Sequence, residues 1–419
     1  MATFETSLKS RLIYVFAIPD EWHKDCLKVG ETTLEEDDGN FPLPNSEVLN
    51  KAACDRIDQY TKTAGIAYNL LHTEMTVFFK GGTISSFNDK QVHSVLERSG
   101  VKKKTFDTVK GANEWFCCDL ETVKKAIHAV KNGRNSLNAS DISYTQTPII
   151  FRPEQQAAID KTKKQFKKGA QMLWNAKMRF GKTLCALRVA RDLEMRRTII
   201  LTHRPVVDES WFEDFGKIFY DRTDYHYGSR TKGEDFTSLE RLAKKGDRYV
   251  YFASMQDMRG AQLVGGKFDK NNEVFSTDWD FLIVDEAHEG TRTELGESVI
   301  KELTKANTKV LKLSGTPFNL LDDYTEEETY TWDYTMEQRA KTEWDLLHMG
   351  DPNPYASLPA INIYTYDLGA LMNDYSEDEK AFNFREFFRT KDDGMFIHEN
   401  DVDNFLSLLC KEDKESLYP

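Results

Sequence analysis

No stretch of this 419-residue chain approaches the roughly 20 consecutive apolar residues that a membrane-spanning helix needs. Residues 1–10 hold no apolar signal region, so the expectation is a cytoplasmic protein with no membrane partner. Cysteine is scarce: the six stand at positions 26, 54, 117, 118, 185 and 410, with no CxxC pair. That spacing excludes a disulfide framework and a cysteine-based zinc site, and fits reduced, mostly buried thiols. An excess of basic residues is also missing, for the net charge is −13. The deficit is local, however. Residues 321–419 carry 24 acids against 8 bases, which leaves 45 acids and 48 bases for the first 320. An acidic tail beside a near-neutral body argues neither for nor against a nucleic-acid groove in that body. What is present is ordinary for a globular protein, 40% hydrophobic and 30% charged, and long enough for two to three domains.

Two stretches carry the clearest chemistry. Ala176-Lys177-Met178-Arg179-Phe180-Gly181-Lys182-Thr183 follows a short apolar run (Met172, Leu173, Trp174) and opens a helical pattern from Leu184 to Leu193. It reads as a phosphate-binding loop, in which backbone N–H groups and a helix N-terminus wrap phosphates. Ala176 stands where the common pattern has its first glycine. Lys182 would reach the terminal phosphates and the Thr183 hydroxyl would hold Mg²⁺, with Ala176, Arg179 and Gly181 lining the loop. Downstream, the buried-strand pattern Phe281–Val284 ends in Asp285-Glu286-Ala287-His288. Asp285 would sit on the metal and Glu286 would poise the attacking water, the division of labour that phosphoryl transfer requires.

Between and after these lie further strand patterns with polar ends: Arg197–Pro205, Tyr249–Gln256 and Lys309–Pro317. Helical stretches alternate with them at Thr237–Lys245 and Glu294–Ala306. This order predicts an α/β fold, a parallel sheet covered by helices with ligands at the carboxyl ends of its strands. The succession of phosphate loop, Thr-His-Arg-Pro, Ala-Ser-Met-Gln, Asp-Glu-Ala-His and Ser-Gly-Thr resembles the first RecA-like lobe of a superfamily-two helicase of the restriction and defence branch. The resemblance covers residues 150–320 and implies ATP hydrolysis. It implies that Gln155 reads adenine. It further implies that Thr202, Arg204 and Ser254 face a nucleic-acid backbone and that His288, Ser314 and Thr316 couple hydrolysis to lobe movement.

The N-terminal segment has two neighbouring strand patterns, Leu12–Ile18 and Cys26–Gly30, that suggest a hairpin. A helical pattern spans Glu47–Tyr60, Asn88 can cap a helix over Asp89–Arg98, and another helix spans Leu120–Val130. Leu12-Ile13-Tyr14, then Lys28-Val29-Gly30, Arg56, Asp89…His93 and Glu114-Trp115-Phe116 resemble, in order, the divergent GIY-YIG nuclease branch whose second triplet begins with Lys. That resemblance implies a Mg²⁺-dependent endonuclease. Tyr14 would stand near the attacking water, Arg56 would stabilise phosphate charge, and Asp89 would hold the metal with His93 beside it. Leu12, Lys28 and the short Asp89 depart from the family pattern.

The expected organisation is a nuclease-like α/β module over 1–134, a polar linker over 135–150, the motor lobe over 151–325, and an acidic, partly helical tail or start of a second lobe over 326–419. No second RecA-like lobe is legible, so a partner subunit or a further segment is expected to complete the ATP site. The leading expectation is an ATP-dependent DNA helicase or translocase lobe fused to an endonuclease-like domain, in restriction or phage defence. An RNA helicase stays open, as does an ATP-gated nucleic-acid-binding regulatory subunit whose N-terminal module does not cut.

Overall fold

The computed structural model describes residues 10–34, 42–80, 82–106, 114–139, 141, 149–203, 205–287, 294–316, 320–348, 350–358, 384–391 and 393–409. Its N-terminal sheet is built around β1 (Arg11–Ala17), buried along most of its length because it is central. β1 pairs antiparallel with β2 (Leu27–Thr33) on one side and β3 (Asn69–Met75) on the other. The short β6 (Trp115–Phe116) completes the order β3-β1-β2-β6. A small hairpin, β4 (Val77–Lys80) and β5 (Thr83–Ser86), stands apart.

Alternation along β1 sorts two cores. Leu12, Tyr14 and Phe16 pack with Leu49, Ala53 and Ile57 of α1 (Glu47–Thr61). Ile13 and Val15 pack with α2 (Asp89–Arg98) and α3 (Leu120–Lys131) on the opposite face. Asn88 caps α2 with a reciprocal bond to Gln91, and the Asp119 carboxylate accepts from Thr122 N to cap α3.

Gly30 lies opposite Tyr14 in the β1–β2 register, and a Cβ there would meet Tyr14 Cζ and Oη at 2.7 Å. The tyrosine ring lies over the glycine. Gly30→Ala is expected to displace that ring and cost roughly 1–3 kcal/mol, the usual range for overpacking. Urea unfolding would read the loss; an unchanged midpoint would mean the ring moves freely.

The larger sheet has seven strands, all parallel: β13 (Thr329–Trp332), β7 (Gln171–Ala176), β12 (Lys309–Ser314), β11 (Phe281–Asp285), β8 (Arg197–Thr202), β10 (Arg248–Ser254) and β9 (Tyr225–Gly228), in that spatial order. One face is covered by α4 (Pro153–Gln165), α5 (Lys182–Asp192) and α6 (Asp208–Phe219). The other is covered by α7 (Phe236–Ala243), α8 (Met255–Arg259), α9 (Asn272–Ser276) and α10 (Glu294–Leu303). A parallel sheet needs both faces covered, which is why its strands read as continuous apolar runs. Trp174 is fully buried and its indole N–H donates to Thr162 Oγ1 at 2.8 Å.

Two boundaries differ from the sequence reading. β13 lies beyond residue 325 yet closes the edge of the sheet against β7. The helix after it, α11 (Tyr334–Leu347), belongs to the same compact unit, which runs to Tyr355. Charge sets the tail apart, whereas these residues are joined to the sheet by backbone pairing that charge does not report. The stretch 135–139, expected as polar linker, is also pinned. The N–H groups of Asn135 and Ser136 donate to Glu234, and Leu137 N donates to Ser99 Oγ. Nearby, Arg98 at the end of α2 donates to the carbonyls of Gly233, Ser229 and Arg230 at 2.6, 3.0 and 3.1 Å. Polarity here serves specific bonds between the N-terminal sheet and the β9–α7 loop.

Residues from Ala356 onward form a second unit. It contains α12 (Phe384–Phe387) and α13 (Glu399–Leu409), where Phe387 and Val402 are buried among Phe388, Phe396 and Phe405. Residues 359–383 lie outside the described residues. Among the described residues no helix is long and apolar enough to cross a membrane.

Candidate nucleotide and nucleic-acid sites

The carboxyl ends of five neighbouring strands bring the sequence-predicted residues into one row. Ala176 ends β7, Ser314 ends β12, Asp285 ends β11, Thr202 ends β8 and Ser254 ends β10. Register fixes the neighbours: Ser314 lies opposite Asn175, and Thr202 opposite both Asp285 and Ser254. A parallel sheet places its ligands at this edge because every strand runs into its loop there.

The loop after β7 turns on two left-handed residues, Arg179 (φ 64°) and Gly181 (φ 91°). A Cβ at Gly181 would also stand 2.7 Å from Gln155 Nε2, so glycine is needed for both backbone and space. Gly181 precedes the first residue of α5, whose first N–H groups have no partners within the helix. Lys182 Nζ donates to Ala176 O at 2.7 Å. Burial pushes this ammonium below its ordinary pKa, opposed by Glu286 and Asp285. The Asp285 carboxyl is pushed up by burial and by Glu286, while the Trp211 indole and Lys182 pull it down. Trp211 Nε1 donates to Asp285 Oδ2 at 3.3 Å, and Asp285 Oδ1 accepts from Glu286 N at 3.0 Å. Glu286 sits at φ 48°, a sharp turn off the strand.

The other predicted residues distribute as follows. Gln155 is buried and its amide donates to Phe180 O at 2.6 Å, tying α4 to the loop; Arg152 Nη2 donates to the same carbonyl at 3.0 Å. Thr183 is half-buried in the first turn of α5. Ser254 caps α8 by accepting from Asp257 N at 3.1 Å. Ser314 is buried and accepts from the N–H of Thr316, which is itself exposed. Arg204 and His288 lie outside the described residues. Sequence reasoning missed Arg152 and Trp211. Trp211, Phe215, Ile218 and Phe219 do carry the spacing of a buried helix face, a signal that could have found α6.

Among the described residues no group of three or more histidine, cysteine or acidic side chains is gathered as a metal site. The donors near Lys182 still suit Mg²⁺, which keeps several waters and takes one or two carboxylates from protein beside the substrate's phosphates. The Thr183 hydroxyl and Asp285 carboxylate are such hard oxygen donors.

In the N-terminal module the structure divides the predicted set. Tyr14 and Arg56 lie together on the α1 face. Burial pushes the Tyr14 hydroxyl up, against hydrogen bonds with Tyr60 and Arg56 and the Arg56 charge, while Glu114 adds to the rise. Lys28 joins this group, 3.4 Å from Glu114 and 4.5 Å above the Tyr60 ring. Asp89 and His93 are on the α2 face instead. His93 Nε2 is 2.8 Å from Val29 O and its ring packs on Phe116, while Asp89 N donates to Glu31 Oε2 at 3.4 Å. Helical spacing puts Asp89 and His93 on one side of α2, and the sheet stands between α2 and Tyr14. The acid that accompanies Tyr14 and Arg56 is Glu114, just before β6.

Residues 148–319 match the family described as "Type III restriction enzyme, res subunit". The match spans most of the seven-stranded sheet. A curated relative from Mycoplasma pneumoniae, "Putative type II restriction enzyme and methyltransferase RM.MpnORF110P C-terminus", is 25% identical over 329 residues, 63% of this chain and 44% of the relative. The chain thus spans less than half the length of that relative. Among solved structures, the UvsW helicase from bacteriophage T4 is 14% identical over 61% of this chain and 99% of its own, with a TM-score of 0.32. The ATP-dependent Type ISP restriction-modification enzyme LlaBIII bound to DNA is 15% identical over 42% of this chain and 13% of its own, with a TM-score of 0.29.

Proposed function

We propose that the seven-stranded lobe is an ATP-hydrolysing DNA motor lobe of a restriction or phage-defence system. The observation that carries this is the row of Ala176, Ser314, Asp285, Thr202 and Ser254 along one sheet edge, with the 176–183 loop at its end. The loop's N–H groups and the start of α5 bind the phosphates, and Lys182 exchanges its bond with Ala176 O for the terminal phosphate oxygens. Thr183 and Asp285 would hold Mg²⁺, which would supply charge neutralisation at the phosphates. Glu286 orients the attacking water and takes its proton. Trp211 keeps Asp285 in place through its indole N–H. Thr202, Arg204 and Ser254 line the track of the nucleic-acid backbone, and His288, Ser314 and Thr316 pass the state of the nucleotide to it.

The N-terminal module is, in the same proposal, a metal-dependent DNA-cleaving module. Its working face carries Tyr14, Arg56 and Lys28, with Glu114 rather than Asp89 as the metal-holding acid. A second reading, a module that docks without cutting, is favoured by the separation of Asp89 and His93 from Tyr14.

ATP turnover by the full chain, with DNA, with RNA and with neither, tests the motor reading. Turnover stimulated by DNA supports it. Stimulation by RNA alone would move the assignment to an RNA helicase, and nucleotide binding without turnover would mean that a second lobe must be supplied.

A further inference from the structure

Lys177, the second residue of the phosphate loop, is committed at every polar group. Its N–H donates to Trp332 O at 3.0 Å. Its carbonyl accepts from Phe180 N at 3.3 Å and from Lys182 Nζ at 3.4 Å. Its ammonium lies 2.5 Å from Glu337 Oε1 and 5.3 Å from the centre of the Tyr334 ring. Glu337 belongs to the first turn of α11 and is fully buried, and among the described residues its Oε2 has no hydrogen-bond partner.

A carboxylate in that position is a poor device for stability. Desolvating two charges offsets most of what their attraction returns, and an unsatisfied oxygen adds to the cost. What such a pair does provide is geometry, because the ammonium has one low-energy place to be. The two carbonyls that hold the Lys182 ammonium belong to Ala176 and Lys177. Trp332, which accepts from Lys177 N, lies opposite Ala176 in the β13–β7 register. The β13–α11 segment therefore grips the loop at its base from both backbone and side chain.

We propose that Glu337 is a positioning residue for the phosphate loop: by holding Lys177 it keeps the loop in its phosphate-binding shape, so that nucleotide affinity depends on how α11 is seated. This rests on the reading of 176–183 as a phosphate loop. It gives α11 a role in the ATP site, although it touches no reacting atom.

The test uses the full chain and measures the Kd for ATP with Mg²⁺ together with the thermal unfolding midpoint. Glu337→Gln keeps the shape and removes the charge; the double variant Lys177→Met, Glu337→Met replaces the pair with apolar side chains of similar length. Replacing a buried pair in this way is often neutral for stability. The expected result is a midpoint near that of the wild type for the double variant, with ATP Kd raised about tenfold or more in both variants, as misplaced binding groups produce. A double variant that binds ATP like the wild type overturns the proposal, since the pair would then serve stability alone. Lys182→Ala is the control. If it leaves ATP affinity unchanged, the phosphate-loop reading itself fails, and the proposal falls with it.

Discussion

Glu286→Gln is expected to lower ATP turnover by roughly 10²–10⁴-fold, the range in which a positioned general base contributes, while ATP affinity changes only a few-fold. The geometry explains the split. Glu286 follows the strand end at φ 48°, and its N–H donates to Asp285 Oδ1. Asp285 is the last residue of β11, and Glu286 follows it in the turn. An amide in place of the carboxylate preserves size and most hydrogen bonds but cannot accept the proton from water. Affinity rests on the loop, on Lys182 and on the metal ligands, none of which the substitution removes. Single-turnover kinetics beside equilibrium ATP binding would measure both quantities. Equal losses in the two would assign Glu286 to nucleotide binding instead.

The second large effect is in the N-terminal module. Glu114→Gln or Tyr14→Phe is expected to reduce Mg²⁺-dependent nicking of plasmid DNA by at least about 10²-fold, whereas Asp89→Asn leaves it within a few-fold. Tyr14 has Tyr60, Arg56 and Glu114 as neighbours. Lys28 lies 3.4 Å from Glu114, so one face holds two hydroxyls, two cations and a carboxylate. Such a set can hold a metal and a phosphodiester together. Asp89 N donates to Glu31, itself paired with Arg11, on the other side of the sheet. Nicking lost in Asp89→Asn and kept in Glu114→Gln would reverse the assignment. No nicking by the wild-type chain in any divalent metal would favour the docking module.

Much of this arrangement was legible. The apolar runs Phe281–Val284 and Thr198–Leu201 are strands because both of their faces are covered, and the polar residues that end them stand at one edge because the strands are parallel. The cap at Asn88 and the glycine at 181 were local signals with local causes. What escaped was non-local. Glu337 is 160 residues from Lys177 in sequence, and nothing in an acidic, aromatic tail marks one glutamate as buried. β9 is four residues long and buried throughout, too short to show a period. Glu114 stands just before Trp115, and the pairing of β6 with β2 is what brings it beside Lys28.

The central claim is that residues 176–183 bind the phosphates of a nucleotide. Calorimetric titration of ATP with Mg²⁺ into the full chain, beside the same titration into Lys182→Ala, tests it most directly. One saturable site in the wild type, weakened by at least about tenfold without the ammonium, is the predicted result. ATP binding of equal strength in both proteins, or no binding to the wild type, would contradict it.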